Sequence, residues 1–210
     1  MSAAGSSLAR FDYRKSEGGR LLLAGVDEAG RGSWAGPVVA AAVMLPDRWC
    51  PERLDDSKKL SARVREDLCR EIISSALCWG ACAVSAAVID RTDILRATLS
   101  AMGTSVRKLN PSPQLVLVDG LQKPDLLVPA ETVVKGDATS SAIAAASILA
   151  KVFRDRIMVA WDRYFPGYGF AAHKGYGAAT HQAALREMGP CILHRFSYKP
   201  IAELDQGRLF

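Results

Sequence analysis

Short apolar segments separated by glycine, proline and polar residues dominate the pattern of this chain. Runs of this kind predict strands. They cover residues 21–27, 37–45, 76–87, 115–118 and 132–135. Gly30, Gly32 and Gly36 interrupt the chain between the first two runs, which favours a hairpin-like antiparallel pair.

Apolar residues spaced three and four apart predict the helices. These segments are 61–75, 90–109, 139–164 and 178–188. Ser61 is positioned to cap the first helix, in which Val64, Leu68 and Ile72 share one face. The first half of the helix at 139–164 is rich in Ala and Ser, whose small side chains allow close packing on a sheet. A basic tail containing Arg195 follows the last helix.

The order of these elements predicts an α/β fold, because strands are followed by alternating helices and strands. We expect three parts along the 210 residues. Residues 1–20, small, polar and charged, predict a flexible leader; 21–165 predict the main domain; 166–210 predict a small helical extension.

Composition narrows the class of protein only slightly. The net charge of +5 and the sequence pI of about 9.0 are compatible with a polyanionic partner, but many proteins are this basic. Five cysteines without paired C-x-x-C units argue against a disulfide framework or a zinc site, and we expect Cys78 and Cys82 to be buried, inert thiols. No secretion signal or membrane span is found, so the expected location is the cytoplasm.

Four acidic residues recur where predicted elements end. Asp27 and Glu28 follow the first strand, Asp119 ends another, and Asp137 lies between a strand and a helix. Two carboxylates about 4 Å apart repel by roughly 4 kcal/mol at an effective dielectric near 20, so a cluster of them calls for a cation. Oxygen ligands without histidine or thiolate favour Mg²⁺ or Mn²⁺, and two such ions can promote phosphoryl displacement.

Each of these acids also has a simpler interpretation. A single acid at a strand end is more often a turn or cap residue, and Asp137 could cap the helix that follows it. The metal hypothesis depends on the recurrence of all four acids.

Possible substrate contacts lie in two glycine-containing loops and one lysine-rich loop. Gly30 and Gly32 expose backbone amides, and Arg31 can pair with a phosphate. Lys58, Lys174 and Tyr176 are further candidates, the tyrosine as a stacking surface. The alternatives are a glycine turn, solvated charged loops and ordinary packing. His173, His181 and His194 lack ligand spacing and are interpreted as surface or packing residues.

Taken in order, several motifs give the chain a specific resemblance. Residues 21–200 resemble bacterial ribonuclease HII, the type 2 ribonuclease H family. The matching blocks are Gly25-Val26-Asp27-Glu28-Ala29-Gly30-Arg31-Gly32, Asp56-Ser57-Lys58-Lys59-Leu60, Val118-Asp119-Gly120, Lys135-Gly136-Asp137, Ala146-Ser147-Ile148-Leu149-Ala150-Lys151-Val152 and His173-Lys174-Gly175-Tyr176.

The resemblance implies an RNase H-like fold, a mixed sheet flanked by helices, with a C-terminal helical extension that contributes to substrate binding. It implies cleavage of RNA in RNA–DNA hybrids and incision 5′ of single ribonucleotides in duplex DNA, leaving 3′-hydroxyl and 5′-phosphate ends. Asp27, Glu28, Asp119 and Asp137 would be catalytic metal ligands. The Gly30–Gly32 loop would read the 2′-hydroxyl, Tyr176 would stack on the following deoxyribose, and the protein would be a monomer.

Some positions depart from the family pattern. Ser33-Trp34 replaces an expected proline-leucine pair beside the glycine-arginine loop, which leaves its effect on specificity open. Three alternatives stay open at this point. A ribonuclease HIII type normally lacks Arg31, a binding module without catalysis would not need all four acids, and a small-molecule phosphotransferase would be expected to carry a Walker-type loop.

Overall fold

The computed structural model describes residues 6–51, 53–54 and 60–206, with side chains to residue 204. The central feature is a five-stranded sheet in the order β3-β2-β1-β4-β5. The strands are β1 (Leu23–Ala29), β2 (Val38–Met44), β3 (Cys78–Val84), β4 (Leu115–Asp119) and β5 (Ala130–Val133). β1 and β2 are antiparallel, as the glycine-punctuated pair predicts, whereas β4 and β5 run parallel to β1.

Helices cover both faces of this sheet. They are α1 (Ser7–Lys15), α2 (Ala62–Ser75), α3 (Ala86–Arg91), α4 (Ile94–Arg107), α5 (Ser141–Asp162), α6 (Phe170–His173), α7 (Ala179–Met188) and α8 (Lys199–Gln206). α2 and α5 pack on one face and α4 on the other, each with its own apolar core. The α/β prediction, with a mixed sheet flanked by helices, is confirmed.

The close approach of α5 to β1 sets the geometry of the site. A Cβ at Gly25 would lie 2.2 Å from the backbone carbonyl carbon of Ala142, so only glycine fits there. Ala144, Ala145 and Ala146 are fully buried against the sheet. The small side chains of α5 therefore let the helix run along β1 almost in backbone contact.

The leader differs from the loose chain that the sequence predicts. Residues 7–15 form α1, which begins at the Ser6 cap, where the hydroxyl accepts a hydrogen bond from Ala9 N at 3.2 Å. The Asp12 carboxylate accepts hydrogen bonds from the Ser141 hydroxyl and from Ala142 N, at 2.6 and 2.9 Å. α1 is therefore fastened to the start of α5.

Three local predictions also need correction. The strand predicted at 76–87 ends at Val84, and the helix predicted at 90–109 is two helices, because Asp93 caps α4 by accepting a hydrogen bond from Arg96 N at 2.7 Å. Cys78 and Cys82 are half-buried rather than buried, since β3 is the edge strand of the sheet. All five cysteines are free thiols.

The C-terminal segment after α5 packs as a third apolar cluster around Phe170, Leu185 and Met158. It contains α6, α7 and α8, of which only α7 is predicted from the sequence. Over the ranges that the structure describes, no helix has the length and hydropathy of a membrane span.

Candidate active site

The sheet brings two of the predicted acids to neighbouring strands. Val26 of β1 is the register partner of Val118 of β4, so Asp27 and Asp119 occupy the next position on adjacent parallel strands. Adjacent strands lie roughly 4.8 Å apart, and equivalent positions point to the same face. Glu28 follows on β1, and its amide donates a 2.7 Å hydrogen bond to Asp27 Oδ1.

Burial and mutual repulsion make this group of carboxylates reluctant to ionise. Desolvation raises the pKa of Asp27 well above its usual value, and the neighbouring charges of Glu28 and Asp119 raise it further. Hydrogen bonds from Glu28 N and the Ser147 hydroxyl act in the opposite direction. The pKa of Glu28 is also raised by burial, although the Arg31 guanidinium opposes this shift. A nearby cation would relieve both groups.

Asp137 reaches the same end of the sheet by another route. It lies in a short 3₁₀ turn, Gly136–Ala138, which begins three residues after the end of β5, and it is buried with 7% of its surface exposed. The preceding residue, Gly136, donates its amide to Asp119 Oδ1 at 2.7 Å. The helix α5 is capped instead by Ser140, whose hydroxyl accepts a hydrogen bond from Ile143 N at 3.2 Å. A role for Asp137 as the helix cap is therefore excluded.

The donor set fits a hard divalent cation. Its side chains offer carboxylate oxygens, and the pKa values of Asp27 and Glu28 are raised first by burial and then by neighbouring negative charge. A bound cation would offset both causes. In the part of the chain described by the structure, no three acidic, histidine or cysteine side chains stand in ready-made metal-binding geometry. The acids are neighbours rather than a preformed cage. A cavity of about 340 Å³ opens beside Glu28, Arg31 and Asp119.

The glycine-arginine loop continues directly from the acidic pair. Gly30 has φ +95°, and a Cβ there would lie 2.0 Å from Arg154 Nε, so this glycine is required by both conformation and space. Gly32 is exposed, and a Cβ at this position would meet nothing within 4 Å. Arg31 Nη1 lies 3.4 Å from Glu28 Oε1, which ties the loop to the carboxylates.

Two buried arginines hold this loop from outside, and their role is not predicted from the sequence. Arg195 Nη2 and Nη1 donate to the carbonyls of Gly30 and Arg31 at 2.7 and 2.8 Å. The same guanidinium donates to Gly36 O at 2.9 and 3.1 Å. Arg154 Nε donates to Pro37 O at 2.9 Å, and its Nη2 donates to the Ser33 hydroxyl at 2.7 Å. Both arginines are completely buried.

Ser33 and Trp34, which depart from the family pattern, have separate structural roles. The buried Ser33 hydroxyl donates to Gly30 O at 2.9 Å and so passes the contact of Arg154 on to the loop. The Trp34 ring packs 5.9 Å from the His181 ring, in the C-terminal segment. A Cβ at Gly177 would lie 2.3 Å from Trp34 Cζ2, which shows how tightly the indole is enclosed.

Tyr176 lies beside the same loop although it is far away in sequence. The preceding residue, Gly175, accepts hydrogen bonds from Trp34 N and Ala35 N at 2.8 and 3.2 Å. The Tyr176 ring is 38% exposed and has Arg154 5.3 Å and Lys151 5.6 Å from its centroid. One face of the region is thus open to a ligand while cations lie near the ring.

The two lysine candidates have different outcomes. Lys174 Nζ donates to the carbonyls of Ala171 and Ala172, so in this structure it caps the end of α6. Lys58 lies outside the described residues, together with Asp56, Ser57 and Lys59 of its motif.

The sequence predicts surface or packing roles for the three histidines, and in the structure they pack against one another. His181 and His194 are buried, and their Nε2 atoms are 3.0 Å apart. His173 stacks on His181 with a centroid distance of 4.3 Å. His181 Nδ1 contacts Tyr176 O at 2.9 Å, so this cluster supports the loop that carries the tyrosine.

Solved structures share this arrangement of sheet and helices. The ribonuclease H2 of Pyrococcus horikoshii superposes with a TM-score of 0.74 at 22% identity, covering 88% of this chain and 97% of that one. The RNase HII of Archaeoglobus fulgidus, solved in a complex with PCNA, gives 0.71 at 28% identity, covering 85% and 96%. The fold is therefore that of the type 2 ribonucleases H.

Sequence comparison identifies the particular family. Residues 24–201 match the family model described as Ribonuclease HII. The chain is 51% identical to the Ribonuclease HII of Geotalea daltonii over 197 residues, covering 94% of this chain and 91% of the relative. It is also 51% identical to that of Geobacter metallireducens, covering 94% and 92%. The chain therefore belongs to the ribonuclease HII family.

Proposed function

We propose that this protein is an endoribonuclease that cleaves the RNA strand of RNA–DNA hybrids and incises duplex DNA 5′ of a single embedded ribonucleotide. The observation that carries the proposal is the continuity of β1 from Asp27 and Glu28 into the Gly30–Gly32 loop. The reacting phosphate and the ribose are adjacent in a nucleotide. In this chain the carboxylates suited to the phosphate chemistry are likewise adjacent to the loop suited to the ribose.

The carboxylates are the groups that would hold Mg²⁺ or Mn²⁺. Asp27, Glu28, Asp119 and Asp137 supply oxygen donors at one end of the sheet. Two bound ions would supply Lewis-acid activation of water and stabilisation of the leaving oxygen. The chain's own contribution is to keep these donors close together in spite of their repulsion, which the hydrogen bonds from Ser147, Glu28 N and Gly136 N moderate. Bst-RNase HIII, which has a similar fold, was solved in complex with Mn²⁺.

The glycine-arginine loop would recognise the ribonucleotide. The space around Gly32 lets a sugar or phosphate approach the backbone amide, and a side chain there would obstruct it. Arg31 is half exposed and is bound only weakly to Glu28, at 3.4 Å, so its guanidinium can turn to a phosphate. The 2′-hydroxyl distinguishes RNA from DNA, and rigid backbone amides are well suited to read it.

Tyr176 would stack on the deoxyribose that follows the ribonucleotide. The Gly175 carbonyl accepts hydrogen bonds from the segment that follows the loop, and this holds the exposed Tyr176 ring beside the loop. A substrate bound along the loop would extend over this ring. Lys58 and Lys174 would add positive charge for the phosphates.

The division into a domain at 21–165 and a binding extension at 166–210, a monomeric state and a cytoplasmic location belong to the same proposal.

The test uses a duplex that contains one ribonucleotide, with a matched all-DNA duplex as its control. We expect Mg²⁺ or Mn²⁺ to support one cut 5′ of the ribonucleotide, with 3′-hydroxyl and 5′-phosphate ends, and chelator to abolish it. Equal cutting of the all-DNA duplex would refute the recognition of ribose. Ends with a 2′,3′-cyclic phosphate would show that the 2′-hydroxyl is the nucleophile and would refute hydrolysis by water.

A further inference from the structure

A second concave surface runs from Tyr176 away from the carboxylates. It has a volume of about 830 Å³ and lies between α2, the C-terminal half of α5 and residues 172–176. We call it the α2–α5 groove. Tyr176 lines one of its walls, so the groove is continuous with the loop region of the proposed active site.

The groove has an excess of positive charge. Its lining contains five basic side chains and two acidic ones, and both acids are already paired. Glu66 is bound by Arg156, and Asp155 by Lys151 at 2.7 Å. Arg163 is exposed and has no ion pair within the described parts of the chain. The lining therefore has a net positive charge, which attracts a polyanion.

Aromatic rings accompany this charge. Tyr164 is 77% exposed and Tyr176 is 38% exposed, and both line the groove. Arginine, lysine and tyrosine side chains are donors that contact the phosphates and sugars of a nucleic-acid backbone. A small apolar ligand would favour a more enclosed and less charged cavity.

The helix α5 gives the groove a direction and a length. Ser147 hydrogen-bonds to Asp27, Lys151 lies one turn further along beside Tyr176, and Arg163 caps the end of the helix. From Lys151 to Arg163 the helix rises about 18 Å. A nucleic-acid strand spans that distance in about five nucleotides, at roughly 3.4 Å each.

We propose that the α2–α5 groove binds the sugar–phosphate backbone of the duplex on the 3′ side of the ribonucleotide, for about five nucleotides beyond Tyr176. This inference rests on the proposed function, in which Tyr176 contacts the sugar that follows the ribonucleotide. It makes Arg163 and Tyr164 binding residues far from the reacting phosphate, and it predicts that a substrate needs DNA on that side for full affinity.

The experiment compares wild-type protein with R163E and Y164A on two substrates. Both contain one ribonucleotide and the same long 5′ flank, but the 3′ flank is about twelve base pairs in one and about two in the other, too short to reach Arg163. R70E is the matched control, because Arg70 is an exposed arginine of α2 that does not line the groove.

On the long substrate we expect R163E to raise KM about tenfold with little change in kcat, and Y164A to raise it about threefold. The dependence of log KM on log salt should become shallower by about one, the value for one lost phosphate contact. On the short substrate both variants should match wild type. R70E should match wild type on both.

Two results would overturn the inference. One is that R163E is no weaker than R70E on the long substrate. The other is that R163E loses as much on the short substrate as on the long one, since the effect would then not come from the 3′ flank. If wild-type protein cut neither substrate, the proposed function itself would fail, so the two failures can be told apart.

Discussion

The carboxylate cluster and the glycine-arginine loop are consecutive in sequence, but they are stabilised in opposite ways. Around Asp27 the charges are alike, and burial and repulsion raise the pKa of the acids. Around Gly30 every polar contact is complementary, because Arg195 and Arg154 donate to the loop carbonyls or to the serine that bonds one of them. The acids repel one another, whereas the loop carbonyls are already paired with donors.

This difference separates what each region contributes. A cluster of acids that stores repulsion gains stability when a cation binds. A loop clamped by two buried guanidiniums keeps its shape with or without substrate, which suits a surface that must measure a single hydroxyl group. Variants that affect one region and spare the other should therefore change activity and stability independently.

The largest expected effect comes from D27N. Loss of this carboxylate should lower kcat at least about a thousandfold, equivalent to about 4 kcal/mol of activation free energy. Its removal also relieves repulsion, so without divalent metal the melting temperature should equal or exceed that of wild type. Single-turnover cleavage and thermal melting measure the two effects. Activity close to wild type in saturating Mg²⁺ would contradict the role given to Asp27.

The next largest effect comes from the two buried arginines that hold the loop, Arg154 and Arg195, which we call the clamp. R195M should reduce the free energy of unfolding by about 3–5 kcal/mol, because it leaves buried carbonyls without donors. R195K keeps the charge but not the planar set of donors, and it should recover only part of the loss. Y198F is the mild control, since the Tyr198 hydroxyl is a second donor to Arg31 O at 2.6 Å. Denaturant unfolding ranks the three, and equal stability of R195M and Y198F would refute the clamp.

Two glycine variants of the loop separate an effect on protein stability from an effect on substrate recognition. G30A should destabilise the protein by about 1–3 kcal/mol, because its φ is +95° and its Cβ would meet Arg154. G32A should leave stability unchanged, since its Cβ meets nothing in the protein, but it should weaken preference for the ribonucleotide. Melting and cleavage of ribonucleotide and hybrid substrates distinguish them. A G32A protein that loses stability but not preference would reverse this assignment.

The smallest effect concerns pH and the histidines that support Tyr176. Burial lowers the pKa of His181 and His194 to about 4, whereas an unfolded histidine titrates near 6.5. Between those values the unfolded state binds more protons, so stability should fall as pH is lowered from about 6.5 towards 4. Melting curves should show a shallower fall for H194N than for wild type. The two proteins contain the same carboxylates, so carboxylate titration cancels when their melting temperatures are subtracted. If the melting temperatures of the two proteins fell in parallel with pH, the histidine contribution would be refuted.

The sequence predicts much of the fold because strands and long helices are local patterns. β1, β2, β4 and α5 lie within a few residues of the predicted segments. Errors arise where one capping residue or one contact distant in sequence decides the structure. Asp93 starts a new helix inside a continuous apolar pattern, and the nine residues of α1 are helical because Asp12 reaches α5.

The candidate site is predictable to a different degree in its two halves. The acids can be found from sequence because they recur at strand ends. The clamp cannot, since Arg195 contacts residues 159 to 165 positions away and reads as part of a basic tail. Arg154 offers no clear signal of its burial either, because Lys151, Asp155 and Arg156 are charged residues close to it in sequence. Ser33 looks like a departure from the family pattern, and only its contacts reveal that it joins the clamp.

The rigid spacing along α5 has a consequence for how this chain can change in length. Ser147 touches Asp27, and Arg154 touches the segment after Gly30, with six residues of uninterrupted helix between them. One inserted residue in that stretch would turn everything beyond it by about 100° and would take Arg154 away from its carbonyls. Insertions and deletions should therefore be excluded from residues 147–154, none of which is exposed.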